Sequence, residues 1–288
     1  MTLPSPILIT GAAGFIGSSL ADRLLSLDVE VIGIDNFDPF YPRDRKQHHL
    51  AAARDHEAFH FYEQDIRDAE GLGEIFDRHR PAAICHLAAL AGVRPSIERP
   101  AAYTDVNLSG TVNLLNHAVE HEVDRLCFAS SSSVYGNNEK VPFAEADPVT
   151  DPISPYAATK RSGELLCHTF HHLYDLPIAC LRFFTVYGPR QRPDLAISKF
   201  LRRVGAGEPI PVFGDGTSRR DYTFIEDILD GVLTAIERIP DHGFRIWNLG
   251  GDAPISLADL ISLIEKTTGR DAIIDRQPDQ PGDVRQTW

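Results

Sequence analysis

Tyr156-Ala-Ala-Thr-Lys160 sets a phenol and an ammonium four residues apart. On a helix that spacing puts both side chains on one face. A nearby ammonium stabilises a phenolate, lowers the phenol's pKa and makes Tyr156 a usable base. Upstream, Ser130-Ser131-Ser132-Ser133-Val-Tyr-Gly136 follows an apolar strand-like run. A serine at a strand's carboxyl end can hydrogen-bond the substrate oxygen that Tyr156 deprotonates. Alone, the tyrosine–lysine pair also suits an exposed helix face, and a serine run suits a flexible turn.

A second group of residues suits an anion. Gly11-Ala12-Ala13-Gly14-Phe15-Ile16-Gly17 joins an apolar run to a helical pattern. Glycines there permit a tight turn and let a pyrophosphate approach the backbone, where a helix amino terminus offers free N–H groups. Asp35-Asn36 ends the next apolar run. Asp35 can hold both hydroxyls of a ribose and would repel a 2′-phosphate; no arginine follows it directly, so NAD is expected rather than NADP. The alternative for Asp35 is a helix-cap or turn aspartate. By position, Asp65-Ile66 should lie near an adenine, and Leu87, Ala88 and Ala89 beside the cofactor.

These residues need a scaffold, and the hydrophobic pattern supplies one. Strands are expected at 7–10, 29–34, 59–62, 82–87, 126–130 and 178–184, and helices at 15–27, 69–79, 103–121 and 156–174. Helix-length segments between apolar strands imply right-handed crossovers and a parallel sheet covered on both faces. The expected fold is α/β, a Rossmann-type doubly wound parallel sheet over 1–184 with a smaller C-terminal lobe. Beyond Gly188 glycines and prolines cluster, and two helices are expected at 225–238 and 257–268. Residues 185–224 and 251–288 form the expected lobe, with 225–250 returning to the sheet. The charged stretch 43–57 reads as a solvated helix or loop.

Composition narrows the function. The chain has 288 residues, 28 Lys+Arg against 41 Asp+Glu, and a net charge of -13. So acidic a chain is a poor candidate for gripping nucleic acid through phosphates. No apolar run approaches membrane-span length, and the amino end enters a strand with no room for a signal peptide. Cys85, Cys127, Cys167 and Cys180 are widely spaced and read as reduced core thiols of a cytosolic protein. His168 and His172 have an i,i+4 metal spacing without an evident acidic ligand, so no metal is expected.

Taken together, the glycine loop, HLAALAGVRPSIERP, SSSSVYG, SPYAATK, RFFTVYGPRQRPD, GDGTSRRDYTFIEDI and QPGDV resemble the extended short-chain dehydrogenase/reductases, and within them the nucleotide-sugar epimerases. The resemblance spans nearly the whole chain. It implies that Tyr156 is the base, Lys160 its partner and a holder of the nicotinamide ribose, Ser131 the catalytic serine, and Asn107 a residue that orients them. It implies transient oxidation of a UDP-sugar at C4, with hydride returned to the opposite face and NAD kept bound. Related dehydratases carry an Asp-Glu pair where Ser132 and Ser133 stand, and UDP-glucuronate decarboxylases carry a glutamate in place of Ser133, so both readings weaken.

Thr185 replaces the asparagine usual in UDP-glucose and UDP-N-acetylglucosamine epimerases. It joins Arg192-Pro-Asp194 and Ala91-Gly-Val-Arg94 in resembling UDP-glucuronate 4-epimerases. A 4-keto uronate is a β-keto acid that readily loses CO2, so its carboxylate must be restrained; Ser133, Thr185 and Arg192 are candidates. Arg192 suits a pyrophosphate or a surface ion pair almost as well. Arg220 and Asp283 match residues that grip the UDP moiety, and Arg94 is a further candidate near the sugar. The resemblance also implies a homodimer through a four-helix bundle made by the helices at 103–121 and 156–174. Relatives usually continue with another helix after QPGDV, which suggests a shortened C-terminus. A 4-epimerase for another UDP-sugar, or a non-catalytic NAD-binding regulator, remains the competing reading.

Overall fold

The computed structural model describes residues 3–278, 282, 284 and 286–288. Seven parallel strands form the main sheet: β1 (Ile7–Thr10), β2 (Val31–Asp35), β3 (Phe59–Glu63), β4 (Ala83–His86), β5 (Arg125–Ser131), β6 (Ile178–Phe183) and β7 (Phe244–Leu249). Their spatial order is β7-β6-β5-β4-β1-β2-β3. The order reverses between β1 and β4, and a crevice opens at the carboxyl ends of the strands where it does.

The apolar runs lack polar alternation because both faces are covered. Ile7 and Ile9 point into one layer with α1 (Phe15–Leu25), while Leu8 points into the other. The second layer is closed by α2 (Ala69–His79), α3 (Gly110–Glu120) and α4 (Pro155–Tyr174). A separate apolar cluster joins α5 (Ala196–Ala206) to Ile210, Val212, Leu260 and Ile264. Helix α6 (Ile225–Arg238) buries Ile228, Leu229 and Val232 against the α1 layer of the main sheet, and β7 then pairs along β6. Helix α7 (Leu257–Thr268) begins with a capping box between Ser256 and Asp259 and carries Leu260 and Ile264 into the smaller cluster.

Two sequence expectations change. The helix expected over 103–121 is interrupted: an α-helical segment Pro100–Thr104 and α3 are joined by a π-helical turn, Asp105–Ser109. Hydrogen bonds drawn by Asn107, described below, fix that extra residue, a feature apolar spacing does not register. The 43–57 stretch forms two short helices, Arg43–His49 and Ala51–Arg54, but it is not wholly solvated, because Lys46 and His49 are buried. All four cysteines are free and buried. No described helix is long and apolar enough to cross a membrane.

Candidate functional site

A cavity of about 490 Å³ lies across the carboxyl ends of β1, β4 and β5. Its floor is the glycine turn. Gly11 has φ +71°, and a Cβ there would stand 3.0 Å from the Ala88 backbone; at Gly17 a Cβ would stand 2.2 Å from the Gly11 carbonyl oxygen. The bare backbone is therefore a steric requirement. Helix α1 has Gly14 as its N-cap, with no side chain capping its amino end, and Gly14, Phe15, Ile16 and Gly17 all line the cavity. An uncapped helix amino end facing an open cavity fits the diphosphate of a dinucleotide.

Asp35 ends β2 in the same cavity. Its Oδ2 accepts the Ala13 N–H at 3.0 Å and its Oδ1 the Phe37 N–H at 2.8 Å. Burial raises its pKa, opposed by Lys46 and by those two N–H groups. Lys46 Nζ lies 3.8 Å from Asp35 Oδ1 and donates to the Asp38 carbonyl at 3.0 Å. Sequence reasoning missed Lys46, since a lysine inside a charged stretch carries no sign that it folds inward. Ala13 does not line the cavity; it contributes the N–H that fixes Asp35.

Tyr156 and Lys160 start α4, whose first turn is capped by the Ser154 hydroxyl accepting from Ala157 N–H. Both line the cavity together with Ser130, Ser131, Ser132 and Ser133. Burial raises the Tyr156 phenol's pKa, against hydrogen bonding from Ser131 and the charge of Arg192. Burial lowers Lys160 to about 8. Its Nζ donates to the Ala129 carbonyl at 2.6 Å and stands 6.0 Å from the Tyr156 ring centroid. Lys160 thus turns its ammonium to the Ala129 carbonyl of β5 while standing beside the Tyr156 ring.

Behind the serines is a buried ionic network. Ser130 Oγ donates to Glu164 Oε1 at 2.5 Å, and Arg182 donates to both Glu164 oxygens, at 2.8 and 2.9 Å. Ser130 therefore lines the cavity with its hydroxyl committed elsewhere. Asn107, from the π-turn, donates to the Leu90 carbonyl and to Thr159 Oγ1, both at 3.0 Å, and accepts the Leu90 N–H at 2.8 Å. It does not line the cavity; it ties the loop after β4 to α4 one residue before Lys160. Tyr103, also unanticipated, meets Tyr156 edge-on with ring centroids 6.3 Å apart.

Arg192 lines the cavity, its guanidinium 5.0 Å over the Phe40 ring and bound to Asp194. Thr185, Arg220 and Thr287 also line it. Among the described residues, the hydroxyls of Ser133 and Thr287 are buried without a hydrogen-bond partner. Such hydroxyls carry a desolvation cost unless a ligand completes them. Asn36, Ile66, Leu87, Ala88 and Ala89 line the cavity as expected by position. Asp65 does not: its carboxylate takes Arg67 and Asn36, which hold its pKa at about 2. Arg94 lies over the Phe213 ring, outside the cavity lining. Asp283 lies outside the described residues. His168 and His172 are exposed, with His168 packed on Phe244.

Residues 7–250 match the family model described as the NAD dependent epimerase/dehydratase family. The chain is 42% identical over 282 residues to a UDP-glucuronate 4-epimerase of Thermodesulfobacterium geofontis, covering 98% of this chain and 86% of that one. A solved UDP-glucuronic acid 4-epimerase from Bacillus cereus, in complex with UDP-glucuronic acid and NAD, superposes with a TM-score of 0.91 at 38% identity, covering 98% of this chain and 89% of that one. A UDP-glucose 4-epimerase from Thermotoga maritima superposes with a TM-score of 0.88 at 34% identity, covering 98% and 88%.

Proposed function

The chain belongs to the NAD dependent epimerase/dehydratase family, and from that premise we propose that it interconverts UDP-glucuronate and UDP-galacturonate by inverting C4. The observation that carries this is the meeting of Tyr156, Ser131 and an uncapped glycine-turn helix in one cavity. When bound, NAD would supply a reversible hydride acceptor for C4; Asp35 would hold its adenosine ribose and Lys160 its nicotinamide ribose. Asn36, Ile66, Leu87, Ala88 and Ala89 line the rest of the cofactor's path.

Tyr156 as phenolate takes the proton of the C4 hydroxyl, and Ser131 hydrogen-bonds the same oxygen. After the keto-sugar turns over, the phenol returns that proton. A 4-keto uronate would lose CO2 if its carboxylate bond aligned with the carbonyl π-system. The unpartnered Ser133 hydroxyl, Thr185 and Arg192 hold the carboxylate away from that alignment. Arg220, which lines the cavity, grips the UDP moiety. The test is product analysis by NMR with UDP-glucuronate, UDP-glucose and UDP-N-acetylglucosamine, without added NAD. UDP-galacturonate from the first is the expected result; turnover of either neutral-sugar substrate alone would overturn the assignment.

The assembly follows from the same reading: a cytoplasmic homodimer whose four-helix bundle takes α4 and the helix ending in α3 from each copy. Exposed Leu165 and Leu173, two turns apart on α4, support it. Light scattering that returned a monomer at micromolar concentration would count against the bundle. Residues 1–184 with 225–250 form the NAD-binding unit, and 185–224 with 251–288 the sugar-binding lobe.

A further inference from the structure

Outside the cavity lining, α3 ends against α2 with two histidines one turn apart, His117 and His121, and Glu120 between them. Each imidazole has one nitrogen fixed by a carbonyl. His117 Nε2 lies 2.8 Å from the Ala69 carbonyl, and His121 Nδ1 lies 3.0 Å from the His117 carbonyl. A carbonyl only accepts, so both of these nitrogens carry the proton. In the neutral rings, His117 Nδ1 and His121 Nε2 therefore hold lone pairs. Both face carboxylate oxygens: His117 Nδ1 is 3.5 Å from Glu120 Oε2, and His121 Nε2 is 3.3 Å from Asp77 Oδ1. His117 Nδ1 is buried and has no hydrogen-bond partner among the described residues.

A ring lone pair facing a carboxylate is repulsive unless a proton or a metal cation stands between them. We propose that His117, Glu120 and His121 form a binding site for a divalent cation of the zinc class, with water at the fourth position. One ligand atom from each of the three lies within 4.8 Å of the others. Tetrahedral zinc with bonds of 2.0–2.1 Å separates its ligand atoms by about 3.3 Å, close to the 3.5 Å between His117 Nδ1 and Glu120 Oε2. Each histidine already has the carbonyl partner that orients a metal-bound imidazole. The rings are also held by packing: the Phe76 ring lies 5.4 Å from His117 and 5.3 Å from His121. Gly73 on α2 leaves room for them, since a Cβ there would stand 3.2 Å from His117 Cε1. A second cluster, Glu30, His60 and His79, is less suited. His79 Nε2 meets the Tyr62 hydroxyl at 2.7 Å, and a hydroxyl can donate or accept, so no lone pair is forced open there.

The test is calorimetric titration of zinc(II) into the full chain with its NAD, after chelator treatment and dialysis. Cobalt(II) spectra serve as a second readout. The comparison is between wild type, His117→Ala/His121→Ala, His60→Ala/His79→Ala, and Glu120→Gln, whose exposed side chain leaves packing intact. Wild type and the His60/His79 variant should bind one equivalent, with the strong visible bands of four-coordinate cobalt. The His117/His121 variant should lose this isotherm, and Glu120→Gln should weaken it roughly tenfold or more. Equal zinc affinity in wild type and Glu120→Gln, or loss of binding only in the His60/His79 variant, would overturn the site, as would no binding to wild type.

Discussion

Arg192 grips Asp194 with both arms of its guanidinium, Nε to Oδ1 at 3.1 Å and Nη2 to Oδ2 at 2.7 Å, while facing the cavity that holds Tyr156. The carboxylate fixes the fork, so the arginine presents its charge without searching rotamers. If that charge restrains the uronate, Arg192→Gln and Thr185→Val should release a decarboxylated pentose nucleotide that wild type does not. Mass spectrometry of the product mixture checks this. Unchanged products and unchanged KM in both variants would remove the role.

Tyr156→Phe should lower kcat by about 10²–10⁴-fold, with the fold and bound NAD retained. The base must lose its proton to act, and burial raises its pKa. Activity should therefore climb as pH rises. Ser131 lowers that pKa, so Ser131→Ala should shift the ascending limb to higher pH. A pH profile of kcat/KM for the two variants reads both effects, and an unmoved limb in Ser131→Ala would contradict the hydrogen bond's function.

His86 is sealed between Thr10 and Thr111, at 2.8 and 2.9 Å, and burial depresses its pKa to about 3. The unfolded chain binds a proton there near pH 6.5, while the folded chain refuses one down to about 3. Stability from this residue is complete above the unfolded value and drains away as pH falls between those limits, by a few kcal/mol in all. Urea unfolding at stepwise lower pH should show the loss, and His86→Gln should flatten the slope by about one proton.

Glu164 and Arg182 are both buried and pair through two hydrogen bonds. Glu164→Gln would leave an uncompensated guanidinium in the core and should cost about 3–5 kcal/mol. Ser130 would exchange a carboxylate acceptor for a neutral amide oxygen, a weaker hydrogen bond, so kcat should fall beyond what the lost stability explains. A denaturation midpoint equal to wild type would refute the argument.

Gly17→Ala would press a methyl against the Gly11 carbonyl oxygen at 2.2 Å. The turn must shift, and the purified protein should carry little NAD. Absorbance and cofactor extraction measure the content directly.

Much of this site can be read from residue order. Glycines between an apolar run and a helix, an acid ending the next strand, and a tyrosine four before a lysine declare themselves through spacing. Their partners do not. Lys46 reaches Asp35 from a short helix whose charges give no direction inward. Asp65 sits at the expected strand end, yet Arg67 two residues on takes its carboxylate. The commitment of Ser130 to Glu164 spans 34 residues and depends on α4 docking beside β5. Local pattern fixes which side chains stand at a strand end; tertiary packing decides where their polar atoms point.

The π-turn at Asp105–Ser109 inserts a phase step into a long helix. Each residue of an α-helix advances the chain by about 100°. Deleting one residue there would let the coil wind evenly, and everything upstream would swing round by that angle. Tyr103 would leave both Tyr156 and the Ala91 carbonyl it now meets at 3.2 Å. A helix one residue too long for its own periodicity thus sets the compass bearing of the aromatic neighbour beside the reactive phenol.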